Sequence, residues 1–269
     1  MKFAFFGDVV GRAGRNAVTR HLPHVRSKLG LDAVVINAEN AAGGFGITRA
    51  TADELFEAGA DVLTLGNHSF DQAQGISVIE NEERLLRPCN YPVGQVPGRG
   101  AGLFNVNGYN FLVINVHGRV FMDALDDPFV GVERELSAAP LGDVADAVLV
   151  DIHAEATSEK AAMGYFCDGR ASLVVGTHQH VPTADARILP DGTAFQTDAG
   201  MCGDYNSIIG MEVEEPLRRF TTRIKGGRFT PASGAGTLCG VYVETDGKGL
   251  AKTVSPIRVG GQLSEIMPS

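Results

Sequence analysis

Residue types that bind metals or transfer protons follow five apolar segments of the sequence. Each segment has the composition of a buried strand, and four of the seven histidines lie at these ends. A single Asp, Asn or His after a strand is more often a turn residue or a structural histidine. Five such ends in one chain indicate a shared site, because open α/β folds build their sites at the carboxyl edge of the sheet. The candidates are Asp8, Glu39, Asn40, Asn67, His68, His153, His178 and His180.

Two of these segments carry adjacent or alternating candidates. In Gly66-Asn67-His68, glycine is expected to let the chain turn sharply after a strand, so that Asn67 and His68 are presented side by side. One of them can then hold a metal while the other transfers a proton. In His178-Gln179-His180, an extended backbone would point both histidines the same way and bring them to one centre.

The chemistry of the set favours divalent metals. Imidazole, carboxylate and amide oxygen suit iron, manganese or zinc, and no cysteine belongs to the set. The ligands are too many for one tetrahedral ion and suit two ions that share a carboxylate. Such pairs lie roughly 3.5–4 Å apart and stabilise phosphoryl oxygens during displacement. Two divalent ions beside Asp8 and Glu39 would attract a phosphodiester monoanion even though the chain has a formal charge of −9.

The composition of the chain limits its possible partners, location and domain organisation. The 269 residues include no run of Lys or Arg, so a general nucleic-acid-binding surface is not expected. Neither a signal peptide nor an apolar stretch of membrane-spanning length is visible, so we expect a cytoplasmic protein with no membrane contact. The four cysteines form no C-x-x-C pair and are expected to be free thiols. No linker or repeat interrupts the chain, which predicts a single domain over residues 1–269.

The hydrophobic pattern predicts a mixed α/β fold. A strand at 2–7, a helix at 14–29, a strand at 33–37, a helix at 51–59 and a strand at 62–65 are typical of a β-α-β-α-β run with parallel strands. Within it, Thr51-Ala-Asp-Glu54 is interpreted as a capping box at the start of a helix. We expect an αββα sandwich, with strands inside and helices outside. The other predicted elements are strands at 147–152 and 172–175, helices from about 158 and at 212–223, and hairpins around 107–108, 191–192 and 246–247.

The motifs together resemble the calcineurin-like metallophosphoesterase superfamily, and within it the YmdB-like family of cyclic-nucleotide phosphodiesterases. Val10 stands where the wider superfamily has His, and Glu39 replaces its bridging Asp, but both are typical of the YmdB-like group. Asp204 stands where a proline is expected in that family. The motifs are Gly7-Asp8-Val9-Val10-Gly11, Asn37-Ala38-Glu39-Asn40, Gly66-Asn67-His68, Gly176-Thr177-His178-Gln179-His180-Val181-Pro182, Thr197-Asp198-Ala199-Gly200-Met201 and Ser207-Ile208-Ile209-Gly210.

The resemblance implies a dinuclear phosphodiesterase, with iron or manganese as the two metals. It implies that a hydroxide between the metals attacks phosphorus and that His68 is the general acid. The substrates would be phosphodiesters, notably 2′,3′-cyclic nucleotides, and a homo-oligomer stays open. It assigns one metal to Asp8, Glu39, Asn40 and His180, and the other to Glu39, Asn67, His153 and His178.

Two other interpretations of the sequence remain to be weighed. Gly7, Gly11 and Gly14 superficially resemble the glycine turn of dinucleotide-binding enzymes, but their spacing is wrong, and Asp8 would face the pyrophosphate with like charge. A regulatory metal-binding protein with weak or vestigial hydrolysis uses the same scaffold and stays open as the alternative. The presence of His68 weighs against it, because a protein that only binds does not need a general acid.

Overall fold

The described residues of the chain form two six-stranded sheets and six helices. They are residues 1–92 and 94–268 of a computed structural model. The strands are β1 (Lys2–Phe6), β2 (Ala33–Asn37), β3 (Val62–Thr64), β4 (Leu85–Leu86), β5 (Ala101–Val106), β6 (Tyr109–His117), β7 (Ala147–His153), β8 (Leu173–Thr177), β9 (Arg187–Ile188), β10 (Ala194–Gln196), β11 (Leu238–Thr245) and β12 (Ala251–Val259). The helices are α1 (Gly11–Leu29), α2 (Arg49–Glu57), α3 (Ala73–Asn81), α4 (Pro128–Ala138), α5 (Thr157–Phe166) and α6 (Glu214–Thr222).

Both sheets are mixed: the first has antiparallel pairing at one edge only, and the second has it at both edges. The first has the order β12-β11-β1-β2-β3-β4, in which β1 to β4 are parallel and β11 and β12 are antiparallel. The second has the order β5-β6-β7-β8-β10-β9, with β6, β7, β8 and β10 parallel. Parallel strands end at the same edge, so the loops after β1, β2 and β3 lie together, as do those after β7 and β8.

The two sheets pack face to face between two layers of helices. Alternate residues of each strand point to opposite faces. In β1, Phe3 and Phe5 join a core shared with residues of β6, β7 and β8, whereas Ala4 and Phe6 pack with residues of α1 and α2. A third cluster joins the outer face of the second sheet to α4 and α5. The expected αββα sandwich is therefore confirmed.

Most predicted elements are present, but several boundaries were wrong. Helix α1 begins at Gly11 rather than at position 14. Position 14 is a glycine within the helix, because a Cβ there would collide with the Cys202 carbonyl oxygen. The capping box of α2 is formed by Thr48 and Thr51 rather than by Thr51 and Glu54. The Thr48 backbone N–H donates to the Thr51 hydroxyl, and the Thr48 hydroxyl accepts from the Thr51 N–H.

Helices α3 and α4 and the short strand β4 were not predicted from the sequence. Helix α4 nevertheless has a clear start signal, since Asp127 accepts from the backbone N–H groups of Phe129 and Val130, and Pro128 occupies the first turn. Within residues 1–92 and 94–268, no helix combines the length and apolar character that a membrane span requires.

Candidate metal centre

The predicted site residues converge where the carboxyl ends of the parallel strands meet. Two groups of possible ligands form there, and the ligand atoms within each group lie within 4.8 Å of one another. The first group contains Glu39, His153 and His178, and the second contains Asp8, Glu39 and His180. Glu39 belongs to both groups. Asp8, Glu39 and His153 are almost completely buried, so their charges are shielded from solvent.

The first group surrounds Nε2 of His153. This atom lies 3.2 Å from Oε2 of Glu39 and 3.2 Å from Nδ1 of His178. The side-chain oxygen of Asn67 is 2.9 Å away. Two imidazole nitrogens, a carboxylate oxygen and an amide oxygen thus face one point, which is a donor set suited to a divalent transition metal.

The second group surrounds an oxygen of Asp8 that lacks a hydrogen-bond partner. Within the described part of the chain, nothing donates to Asp8 Oδ1, although this atom is buried. It lies 3.8 Å from Nε2 of His180. The amide nitrogen of Asn40 is 3.1 Å from the same His180 atom and 2.8 Å from Oε1 of Glu39. Since an amide binds a cation through oxygen, ligation by Asn40 requires its amide to rotate by about 180°.

The buried carboxylates of the site favour the binding of a cation. Burial raises the pKa of Asp8, and the negative charge of Glu39 raises it further, against the lowering effect of His180 and His153. Burial would also raise the pKa of Glu39, but the charge of His153 and its hydrogen bond outweigh burial and lower it. Burial lowers the pKa of His153, but Glu39 and Asp8 together raise it to about 9. Two buried carboxylates therefore attract positive charge into this pocket.

Gly66 is required by space rather than by the sharp turn that the sequence suggested. Its φ is not in the left-handed region, and a Cβ at this position would collide with the Glu39 carboxylate and the His153 ring. The glycine therefore lets the backbone of the Asn67 loop approach the centre closely. Asn67 and His68 are brought to the centre together, as expected, but by this close approach.

The expectation that His178 and His180 converge on one centre in an extended segment was wrong. Their φ values are 97° and 64°, so the alternation of an extended strand is lost and each histidine joins a different group. The buried carboxylate of Asp198 holds this bend, because it accepts from the backbone N–H of Gln179 at 3.1 Å. Lys160, also fully buried, donates to Asp198 at 2.8 Å and to the Gln179 side chain at 3.2 Å.

His68 lies beside the centre but belongs to neither group. Its backbone N–H donates to Oε2 of Glu39 at 3.1 Å, which ties its loop to the shared carboxylate. Its Nδ1 lies 2.7 Å from Oδ2 of Asp71, and its ring is edge-on to Phe45 at 5.0 Å between centroids. The imidazole is therefore held in place with Nε2 free to act on a bound molecule.

A cavity of about 240 Å³ opens beside both groups. Gly44 and Phe45 line it, so the glycine-rich loop at residues 43–46 lies at the site. The other lining residues are Glu39, Asn40, His68, His178, His180, Ile208, Ile209, Met211, Pro216, Phe220 and Phe229.

The family model for YmdB-like protein matches residues 4–257. The chain belongs to this family. A Bacillus subtilis (strain 168) protein named 2′,3′-cyclic-nucleotide 2′-phosphodiesterase is 45% identical over 246 residues, which cover 91% of this chain and 92% of that protein. The resemblance inferred from the sequence motifs is thereby confirmed.

Two solved structures share the fold of this YmdB-like chain. A hypothetical protein from Thermus thermophilus is 45% identical, with a TM-score of 0.90 and coverage of 97% of this chain and 100% of that one. A novel phosphatase from Mycoplasma pneumoniae is 34% identical, with a TM-score of 0.90 and coverage of 97% and 93%.

Asp204, which departs from the expected YmdB-like pattern, organises a loop in this chain. Its Oδ1 accepts from the backbone N–H of Asn206 at 2.9 Å, and its Oδ2 accepts from that of Gly234 at 2.9 Å. The carboxylate therefore joins two loop segments that flank the cavity-lining residues 208–229.

The residues that support His153 in this YmdB-like chain were not predicted from the sequence. Thr177 Oγ1 lies 2.9 Å from His153 Nδ1 and donates to Asp151 at 2.8 Å. Asp151 also accepts from Thr64 at 2.6 Å and Asn37 at 3.0 Å. This chain of hydrogen bonds directs Nε2 of His153 toward the centre. A carboxylate in the otherwise apolar strand β7 was the signal that could have found it.

Proposed function

We propose that the chain is a metal-dependent phosphodiesterase that hydrolyses cyclic nucleotides, with the 2′,3′-cyclic type as its main substrate. The observation that carries the proposal is the position of Glu39, whose two oxygens face two adjacent ligand groups, with His68 beside them and outside both. A carboxylate shared in this way suits a pair of ions. The name of the Bacillus subtilis relative supports the same substrate class.

The residues fit two divalent ions. In this proposal Asp8, Glu39, Asn40 and His180 hold one ion. Glu39, Asn67, His153 and His178 hold the other. The unpartnered oxygen of Asp8 supports this assignment, because a buried carboxylate oxygen without a donor is costly unless a cation is bound. When bound, such ions stabilise charge on phosphoryl oxygens and provide a nucleophile at neutral pH. Iron or manganese is proposed from the family resemblance, and the nitrogen and oxygen donors without thiolate suit either metal.

The chain itself supplies the proton for the leaving group. To act as general acid the ring must carry a proton on both nitrogens, so that Nδ1–H donates to the Asp71 carboxylate while the proton on Nε2 passes to the departing oxygen of the substrate. Asp71 fixes the orientation of the ring. Because His68 faces the cavity, its proton is delivered at the side where the ester oxygen leaves.

Replacing Asp71 with asparagine is expected to lower kcat by about 10-fold while metal content and KM stay near their original values. A carboxylate can only accept from Nδ1–H, whereas an amide can turn its N–H₂ toward Nδ1, so the ring is no longer fixed with Nδ1 as the donor. Steady-state kinetics with 2′,3′-cyclic AMP and metal analysis check this. Asp53→Asn, on the exposed side of α2, is the matched control and should leave kcat unchanged. An Asp71→Asn variant with full kcat would remove Asp71 from the mechanism.

A substrate panel tests the proposed function. Protein reconstituted with Fe²⁺ or Mn²⁺ is expected to hydrolyse 2′,3′-cyclic nucleotides faster than 3′,5′-cyclic nucleotides and phosphomonoesters. Product analysis by chromatography shows which ester bond breaks. Metal-loaded protein that cleaves none of these diesters would overturn the proposal and leave the regulatory metal-binding alternative, which nothing in the site favours.

We also propose a domain organisation and a cellular location for the enzyme. One catalytic domain over residues 1–269 is supported by the contribution of both sheets to one centre. A cytoplasmic location is supported by the four cysteines, which are free and buried in the described residues, as is usual in a reducing compartment.

A further inference from the structure

We propose that the cavity beside the metal centre is a nucleobase-binding site that accepts all four bases, so that the substrate is a free cyclic mononucleotide rather than the end of an RNA chain. The inference rests on the proposed phosphodiesterase function and adds the part of the substrate that the metal groups do not contact. Three phenylalanines, Phe45, Phe220 and Phe229, are the residues that would bind the base.

The cavity is apolar wherever it leaves the metal centre. Beyond the ligand groups and His68, its lining side chains are Phe45, Ile208, Ile209, Met211, Pro216, Phe220 and Phe229. Its volume of about 240 Å³ lies below the roughly 300–1,000 Å³ that is usual for drug-sized ligands. A single nucleoside with its phosphate at the metals suits this size.

Two of the aromatic rings, those of Phe45 and Phe229, pack on the same small hydrophobic cluster. Phe45 contacts the His68 ring edge-on at 5.0 Å, so it lies next to the position of the leaving oxygen. Phe229 packs on the small cluster of Val10, Met201 and Met211. The Arg219 guanidinium lies 4.0 Å from the Phe229 ring centre but does not line the cavity.

Phe220 completes the aromatic set at the mouth of the cavity. It belongs to α6 and is 79% exposed, although it lines the cavity. A large aromatic side chain so exposed at the rim of an apolar cavity gains contact area when a flat ring covers it. Base–aromatic stacking tolerates any base, because every base has a π-face.

The lining of the cavity favours a single phosphate at the metal centre over a polyanion. Among residues 1–92 and 94–268, no lysine or arginine lines the cavity. One diester phosphate can be neutralised at the metal centre, but the further phosphates of an RNA chain would meet no cation there. The apolar side chains around the base also offer no hydrogen-bond donor or acceptor, so they cannot distinguish adenine, guanine, cytosine and uracil.

The test compares the four 2′,3′-cyclic nucleotides with glycerol 1,2-cyclic phosphate, a cyclic diester without a base. In the metal-loaded wild type, kcat/KM for the four nucleotides is expected to agree within about 10-fold and to exceed that for the glycerol diester. Phe229→Ala is expected to lower the ratio of nucleotide to glycerol-diester kcat/KM by about 10-fold, mainly through KM. Phe220→Ala, at an exposed position, should lower the same ratio without risk to folding.

Tyr165→Ala is the matched control, since Tyr165 is 58% exposed on α5 and does not line the cavity. It should leave the ratio unchanged. The inference would be overturned if a short RNA with a 2′,3′-cyclic end had a higher kcat/KM than 2′,3′-cyclic AMP. It would also be overturned if the Phe229→Ala and Phe220→Ala variants kept the wild-type ratio while both diesters were hydrolysed. Failure of the wild type to cleave either diester would instead contradict the proposed function.

Discussion

Replacing His68 with alanine is expected to lower kcat for 2′,3′-cyclic AMP by about 10²–10⁴-fold while the protein keeps both metals. His68 contributes only its backbone N–H to the shared Glu39, and this group remains in the variant. The variant loses only the proton donor. Steady-state kinetics and metal analysis of the same preparation measure the two effects together.

The leaving group provides a sharper test of this role. Bis(4-nitrophenyl) phosphate has a leaving group that departs without protonation, so His68→Ala should affect its hydrolysis much less than that of the cyclic nucleotide. His24→Ala, at an exposed position of α1, is the matched control. Loss of metal from His68→Ala would show that His68 is a ligand, and equal losses of activity with both substrates would show that it is not the general acid.

Replacing Glu39 with glutamine is expected to abolish binding of the metal pair and to reduce hydrolysis to background. The two carboxylate oxygens face different ligand groups, and the substitution removes both the negative charge and one of the oxygens. The lowered pKa of Glu39 keeps this charge in place across the neutral range. Metal content after dialysis and calorimetric titration with Mn²⁺ measure the loss.

Two further variants serve as comparisons for Glu39→Gln. Glu57→Gln is the matched control, because Glu57 is exposed on α2 and belongs to neither group. It should keep both metals. His178→Ala removes a ligand from one group only and is expected to weaken one ion more than the other. A Glu39→Gln protein that retains two metals per chain would mean that Glu39 does not bridge.

The arrangement of the site could be predicted from the sequence, because the ends of strands are local features of the chain. Apolar runs predicted β1, β2, β3, β7 and β8, and the polar residue after each run was correctly expected at a common edge. The joint pattern was informative although each residue alone was not. The rule that parallel strands end at one edge supplied the missing spatial step.

What the sequence did not reveal depends on contacts between distant segments. The left-handed backbone at His178 and His180 is held by Lys160 and Asp198, and no local pattern indicates that pair. The cavity brings Phe45 together with Phe229, which lies far from it along the chain. Aromatic residues in separate loops show no periodicity that predicts their meeting.

We propose that two metal ions, held through Glu39, make this chain a phosphodiesterase. The decisive measurement is the hydrolysis of 2′,3′-cyclic AMP while Mn²⁺ is titrated into metal-free protein. The expected curve rises with added metal and reaches its plateau at about two equivalents per chain, as a paired site requires. Full activity at one equivalent, or in the metal-free protein, would show that hydrolysis does not need a metal pair.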